Sequence, residues 1–133
     1  MSDRPERIIA SETGLQKALG YVNHLHADRC ETHVDIEAKH TNRSDMLHGG
    51  IHAILLDSAC GFAASRALSD DGNQLIVTLS LTTNYLAAAK EGRVTATGRV
   101  THAGRSIVYA AGEVRHENGD LLATGSGVFK RVG

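Results

Sequence analysis

The chain contains no tryptophan, and of its 133 residues only two are phenylalanine and three are tyrosine. A core of stacked aromatic rings is thereby excluded, and the interior must be built from Val, Ile, Leu and Ala, which favours close backbone approach. Cysteine is equally sparse. Cys30 and Cys60 have no CxxC partner, so no disulfide framework is expected, and Cys60 sits in an apolar stretch where a thiol serves as a small hydrophobe. Neither sign of charge is in excess: the net charge is −1 with histidine neutral, and the charged residues are spread along the chain. Nothing resembles a basic footprint for nucleic acid or a polybasic patch for a membrane surface. No apolar run approaches the roughly 18 residues of a membrane span, and the opening MSDRPERIIASETG lacks the apolar stretch of a secretion signal. A soluble, cytoplasmic chain is expected, with no nucleic-acid or membrane partner. Its length suits a single domain over 1–133, with 1–12 expected to be a poorly ordered extension.

What is present has clear periodicity. Ser11 to Leu19 offers a serine cap followed by Leu15, Ala18 and Leu19 at helical spacing, with Gly20 as a stop. From Cys30 to His40 the residues alternate, Thr32, Val34, Ile36 and Ala38 on one face and His33, Asp35, Glu37 and Lys39 on the other, which predicts a half-buried strand. Tyr21 to Asp28 is a second candidate that pairs with it. A long helix is predicted from Gly50 to Leu68, with Ile51, Ile54, Leu55, Ser58 and Phe62 as its stripe toward the core. A second stripe, Gly50, Ala53, Asp57, Cys60, Gly61 and Ala64, is small except for the acid and suits the approach of another backbone. Four strands follow, over Gln74 to Leu86, Gly92 to His102, Arg105 to His116 and Asp120 to Lys130, separated by short glycine-bearing breaks that predict successive antiparallel hairpins. The predicted class is α+β, a curved antiparallel sheet wrapped around one long central helix.

Within MLHGGIHAILLDSACGFAAS the anomaly is Asp57. A carboxylate among apolar groups costs several kcal/mol unless paired or functional, and no Lys or Arg stands three or four residues away. At the start of the same helix, His48-Gly49-Gly50 offers free backbone N–H groups at the positive end of the helix dipole, a place for an anion or a developing oxyanion. Eight residues separate Gly49 from Asp57, about 12 Å along a helix. Both cannot reach one carbonyl group. If both are catalytic they come from different chains, and two such helices packed antiparallel give two equivalent sites in an isologous dimer.

The order Asn42, His48-Gly49-Gly50, Asp57, with the NYLAAAK and GRVTHAGRSIVYAAGEV segments, resembles the PaaI-like branch of the hotdog-fold acyl-CoA thioesterases, within the 4-hydroxybenzoyl-CoA thioesterase superfamily. The resemblance implies hydrolysis of an acyl- or aryl-CoA thioester by a homodimer or homotetramer, a dimer of dimers, with active sites between chains. By resemblance, Asp57 is the general base or nucleophile, Gly49 the oxyanion donor, Asn42 a holder of the attacking water, His48 a positioning group beside the carbonyl, and Thr78 a hydroxyl near the acid. Gly50 borders the substrate. Tyr85, Leu86, Ala87, Ala88, Ala89 and Lys90 would line the coenzyme A groove, as would His102, Ala103, Gly104, Arg105, Ser106 and Ile107. Lys90, Arg105 and Lys130 would face phosphates. Relatives often carry a glycine between the asparagine and the HGG; Arg43, Ser44, Asp45 and Met46 stand there instead.

The resemblance implies no cofactor, since coenzyme A belongs to the substrate. A metal site built from His48 and His52, or from His24 and His26, with Asp57 is not expected, because an HExxH motif needs a glutamate where Gly49 stands. A Ser58-centred triad lacks a GxSxG elbow, and Ser58 projects about 100° away from Asp57. A hydratase of the same fold and a non-catalytic acyl-CoA binding module are the competing readings.

Overall fold

Alternation of apolar and polar residues produces the strands, and a computed structural model describes residues 4–133. The strands are β1 (Arg7–Ile9), β2 (Val22–Leu25), β3 (Cys30–Asp35), β4 (Ile76–Tyr85), β5 (Arg93–Ala103), β6 (Ile107–His116) and β7 (Leu121–Arg131). They form one sheet in the order β1-β2-β3-β5-β6-β7-β4, antiparallel at every step. Two helices accompany it, α1 (Gly14–Leu19) and α2 (Gly49–Leu68). The predicted α+β arrangement, a sheet wrapped around one long helix, is present.

Several expectations need correction. β4 and β5 do not form a hairpin: β5 pairs with β3, and β4 lies at the far edge against β7. The β4–β5 connection therefore crosses between sheet positions, while β5–β6 and β6–β7 are hairpins as predicted. The extension expected over 1–12 contains β1, which pairs Ile8 with His24 of β2; residues 1–3 lie outside the described residues. Ser11 does not cap α1. It takes a left-handed φ of 55°, and Thr13 caps instead, its hydroxyl accepting from Gln16 N at 3.1 Å, before Gly20 closes the helix at φ 79°. β3 ends at Asp35, short of the His40 predicted, because Ala38–His40 turn into a short 3-10 helix.

The face that α2 buries also differs from the predicted stripe. Leu55, Leu56, Ala59, Cys60, Ala63 and Ala64 meet the sheet, whereas Ser58 and Phe62 are half exposed. Full burial of a leucine contributes roughly 1.5–3 kcal/mol, so Leu55 and Leu56 anchor the helix centre. The small stripe is split by this rotation. Cys60 and Ala64 turn to the sheet, while Gly50, Ala53 and Asp57 remain partly open. Close approach occurs where β5 crosses the helix: a methyl group on Gly98 would stand 2.7 Å from the Ala59 carbonyl carbon and the Cys60 nitrogen. Among the described residues no helix is long and apolar enough to cross a membrane.

Candidate active site

The loop leading into α2 is built by Asn42. Its Oδ1 accepts from Ser44 N at 2.9 Å and Met46 N at 3.2 Å, and its own N–H donates to Met46 O at 2.8 Å. Asp45 closes the turn at φ 58°, a left-handed conformation that aspartate tolerates better than most side chains. An aspartate thus supplies the backbone bend between Asn42 and the glycine pair. The Asn42 carbonyl oxygen is spent within the loop, and its amide Nδ2 remains as a donor pointing from an exposed residue.

His48 caps the helix, its Nδ1 accepting from Gly50 N at 2.8 Å. An accepting Nδ1 puts the ring proton on Nε2, which is then a donor at the helix entrance. The cap also separates the two glycines. Gly50 N–H is engaged by His48, whereas among the described residues nothing accepts from Gly49 N–H. Tyr85, expected in the coenzyme A groove, donates its hydroxyl to Gly49 O at 2.8 Å and so braces the turn that carries this free N–H.

Asp57 lies near the middle of α2 on its partly open side. The sequence reading of a carboxylate sunk among apolar side chains is therefore corrected to one at the rim of the core. Thr78 of β4 donates to Asp57 Oδ1 at 2.8 Å. Beside them opens a cavity of about 380 Å³, bordered by Phe62, Ile76, Phe129, Asn73 and Glu12. Among the described residues Asp57 has no ion-pair partner, and its charge reaches the neighbouring Cys60, whose thiol is pushed up to about 12 by burial first and by Asp57 second.

The remaining predicted residues divide between the two ends of α2. Tyr85 to Lys90 lie at its N-terminal end, where Leu47 N donates to Ala89 O at 2.8 Å. Ala89 itself is buried in the core, so it presents no groove surface in this chain, whereas Leu86, Ala87, Ala88 and Lys90 are exposed. His102 to Ile107 and Lys130 lie at the other end, with the turn closed by Gly104 N donating to Ile107 O at 2.8 Å and with Ile107 opposite Lys130. His102, Ala103, Gly104, Arg105, Ser106 and Lys130 are exposed. A helix of this length spans about 30 Å. One chain therefore does not gather the two segments into one groove.

His52, weighed from the sequence only as a metal ligand beside His48, is 2% exposed, stands edge-on to the Tyr85 ring at 5.6 Å and is lowered in pKa by burial. Its i, i+4 relation to His48 was the available signal, but His48 is drawn away as the cap. Among the described residues no group of three metal-capable side chains includes Asp57. The Ser58 hydroxyl donates to Asn23 Oδ1 at 2.6 Å, away from any histidine, and forms no triad.

A profile of the thioesterase superfamily matches residues 45–123, more than half of the chain. A 1,4-dihydroxy-2-naphthoyl-CoA hydrolase of Listeria monocytogenes is 27% identical over 110 residues, covering 82% of this chain and 88% of that protein. Among solved structures, a conserved protein of Pseudomonas aeruginosa superposes with a TM-score of 0.77 at 29% identity, over 90% of this chain and 94% of that one. The PaaI protein of the Escherichia coli phenylacetic acid degradation operon superposes with a TM-score of 0.81 at 22% identity, over 92% and 86%, and so shares the hotdog fold.

Proposed function

The chain belongs to the thioesterase superfamily, and on that premise we propose that it hydrolyses an acyl-coenzyme A thioester to the free acid and coenzyme A. The observation that carries this reading is Asp57, held by Thr78 at the mouth of the cavity with no cation paired to it among the described residues. In the proposed reaction Asp57 removes a proton from water that attacks the thioester carbon, or attacks that carbon itself to give a mixed anhydride that water then cleaves, returning the carboxylate and releasing the acid. The C–S bond breaks, and coenzyme A leaves as a thiolate that takes up a proton. The oxyanion is held by Gly49 N–H of a second chain, with His48 Nε2–H beside it and Asn42 Nδ2 donating to the water.

A two-chain site is supported by three features. Gly49 and Asp57 are too far apart along one helix to share a carbonyl, and the groove segments lie at opposite ends of α2. β4 is an edge strand bearing exposed Val77 (47%) and Leu79 (55%), with exposed Leu75 (73%) just before it, an apolar edge that a second copy would cover. Antiparallel pairing would bring Lys90 of one chain toward Arg105 and Lys130 of the other, gathering cations for the coenzyme A phosphates. The Phe62 and Phe129 rings on the cavity support an aryl acyl group over a long alkyl chain.

The test is release of free thiol from a panel of aryl- and alkanoyl-CoA esters. Activity is expected in the wild type and lost in Asp57→Asn; hydrolysis that survives that substitution overturns the role of Asp57, and no hydrolysis of any ester favours a binding module. Hydration of a 2-enoyl-CoA in place of hydrolysis would favour the hydratase. Mixing Asp57→Asn with Gly49→Val chains tests the shared site. Half of randomly mixed dimers are hybrid and each hybrid keeps one intact site, so about a quarter of wild-type activity returns.

A further inference from the structure

On the face of the sheet turned away from α2, three metal-capable side chains converge. The β1–β2 register pairs Arg7 with Leu25 and Ile8 with His24, and one further step carries Glu6 to His26. Alternation turns Asn23 and Leu25 inward, where Asn23 meets Ser58 of α2, and turns His24 and His26 to the other side. Glu31 of β3 stands opposite His24. His26 Nδ1 lies 2.8 Å from Glu6 Oε1, His24 Nε2 lies 3.7 Å from Glu6 Oε2, and the two imidazoles stack at 3.9 Å. One nitrogen of each histidine and one oxygen of Glu6 fall within 4.8 Å of one another.

We propose that Glu6, His24 and His26 form a binding site for a divalent transition-metal ion of the zinc class, with Glu31 as the residue that orients His26. Two imidazole nitrogens and one carboxylate suit zinc and its neighbours; magnesium and calcium take oxygen ligands. The second carboxylate makes the arrangement specific. His26 Nε2 lies 2.5 Å from Glu31 Oε1; with Nε2–H donating to that carboxylate, Nδ1 on the Glu6 side is the nitrogen left for an ion, as in the carboxylate–histidine–metal triads of metalloproteins. Arg29, 3.6 Å from the same Glu31 oxygen, holds that carboxylate in place.

The His26 position is fixed before any ion arrives. Its N–H donates to Arg29 O at 2.8 Å, its carbonyl accepts from Arg66 Nη1 at 3.1 Å, and its side chain is 12% exposed. Glu6, 63% exposed, leaves one side of the site open to water or an external ligand. The ion would fasten the segment before β1, a strand of three residues, to β2, stabilising the folded chain by mass action.

The experiment is isothermal titration of the chelator-treated, full-length protein with zinc chloride, and separately with magnesium chloride, alongside thermal unfolding. One zinc ion per chain, a raised Tm and no magnesium binding are expected. His24→Asn and Glu6→Gln, both at accessible positions, should abolish the zinc heat. Glu31→Gln should weaken affinity about 10- to 100-fold. Release of thiol from acyl-CoA should be unchanged in all three variants, separating this site from Asp57. Absence of zinc binding overturns the proposal, as does undiminished affinity in both His24→Asn and Glu6→Gln, which would assign the ion to other histidines such as His102 and His116. Equal affinity for magnesium overturns the donor-set argument.

Discussion

Thr78 Oγ1 and Asp57 Oδ1 stand 2.8 Å apart, a hydrogen bond that joins the edge strand β4 to the middle of α2. The hydroxyl spends its single proton on one carboxylate oxygen, which fixes the plane of the carboxylate and leaves the other oxygen for water or a carbonyl carbon.

Thr78→Val should therefore lower kcat for thioester hydrolysis roughly tenfold or more, since a hydrogen bond to a charged group is worth about 1.5–3 kcal/mol and about 1.4 kcal/mol is a factor of ten. Thr78→Ser should recover most of the loss. Steady-state kinetics on one ester checks both, and an unaltered kcat in Thr78→Val would remove Thr78 from the mechanism.

Gly98 is the point at which β5 touches the backbone of α2. A Cβ there would lie 2.7 Å from Ala59 C and Cys60 N, with no flexible side chain to give way. Gly98→Ala should destabilise the fold by about 3 kcal/mol or more, the upper range for overpacking. Urea unfolding of the variant, with the midpoint lowered and the slope unchanged, is the measurement.

His52 titrates against the fold. Burial lowers its pKa, so near pH 7 it is neutral in both folded and unfolded chains and costs nothing. As the pH falls through the ordinary histidine value of about 6.5, the unfolded chain binds the proton first and stability is lost, until the folded pKa is passed. His33, lowered by burial and then by Arg93, adds in the same direction. Unfolding midpoints should fall on acidification of the wild type and fall less in His52→Leu.

Both thiols should be inert. Burial pushes Cys30 and Cys60 up to about 12, leaving almost no thiolate at neutral pH. Alkylation by iodoacetamide is expected to be undetectable in the native protein and to follow the unfolding curve in urea. Rapid native labelling of either thiol would show that the core opens locally there.

The HGG turn, Asp57 in a long helix, and the last four strands were legible because each rests on local chemistry. Glycines free N–H groups at a helix start, a 3.6-residue period makes a helix face, and alternation makes a strand. The face of α2 that meets the sheet was misjudged because Ile51, Ile54, Leu55, Leu56, Ala59 and Phe62 spread over an arc of about 200°, too wide for the period alone to fix the rotation of the helix. Thr13 displaced Ser11 as the cap of α1 because the preceding strand and the buried Gln16 side chain, which reaches Ile9 O and Tyr21 O, fix where that helix begins. Ala89 was placed in the groove by resemblance along the whole Tyr85 to Lys90 segment, and a segment match carries no sign of which side each residue presents.

By itself the sequence determined an aromatic-poor domain of one helix wrapped by strands, with an acid and a glycine pair set about 12 Å apart on that helix. The tertiary structure decided that β4 lies beside β7 and not β5, that Asp57 opens onto a cavity beside Thr78, and that Glu6, carried by the N-terminal strand, reaches two histidines. These are contacts between residues far apart in the chain. A residue type and its local period state what a side chain can do and which face it favours, and only the packing of the whole sheet selects the neighbour it meets.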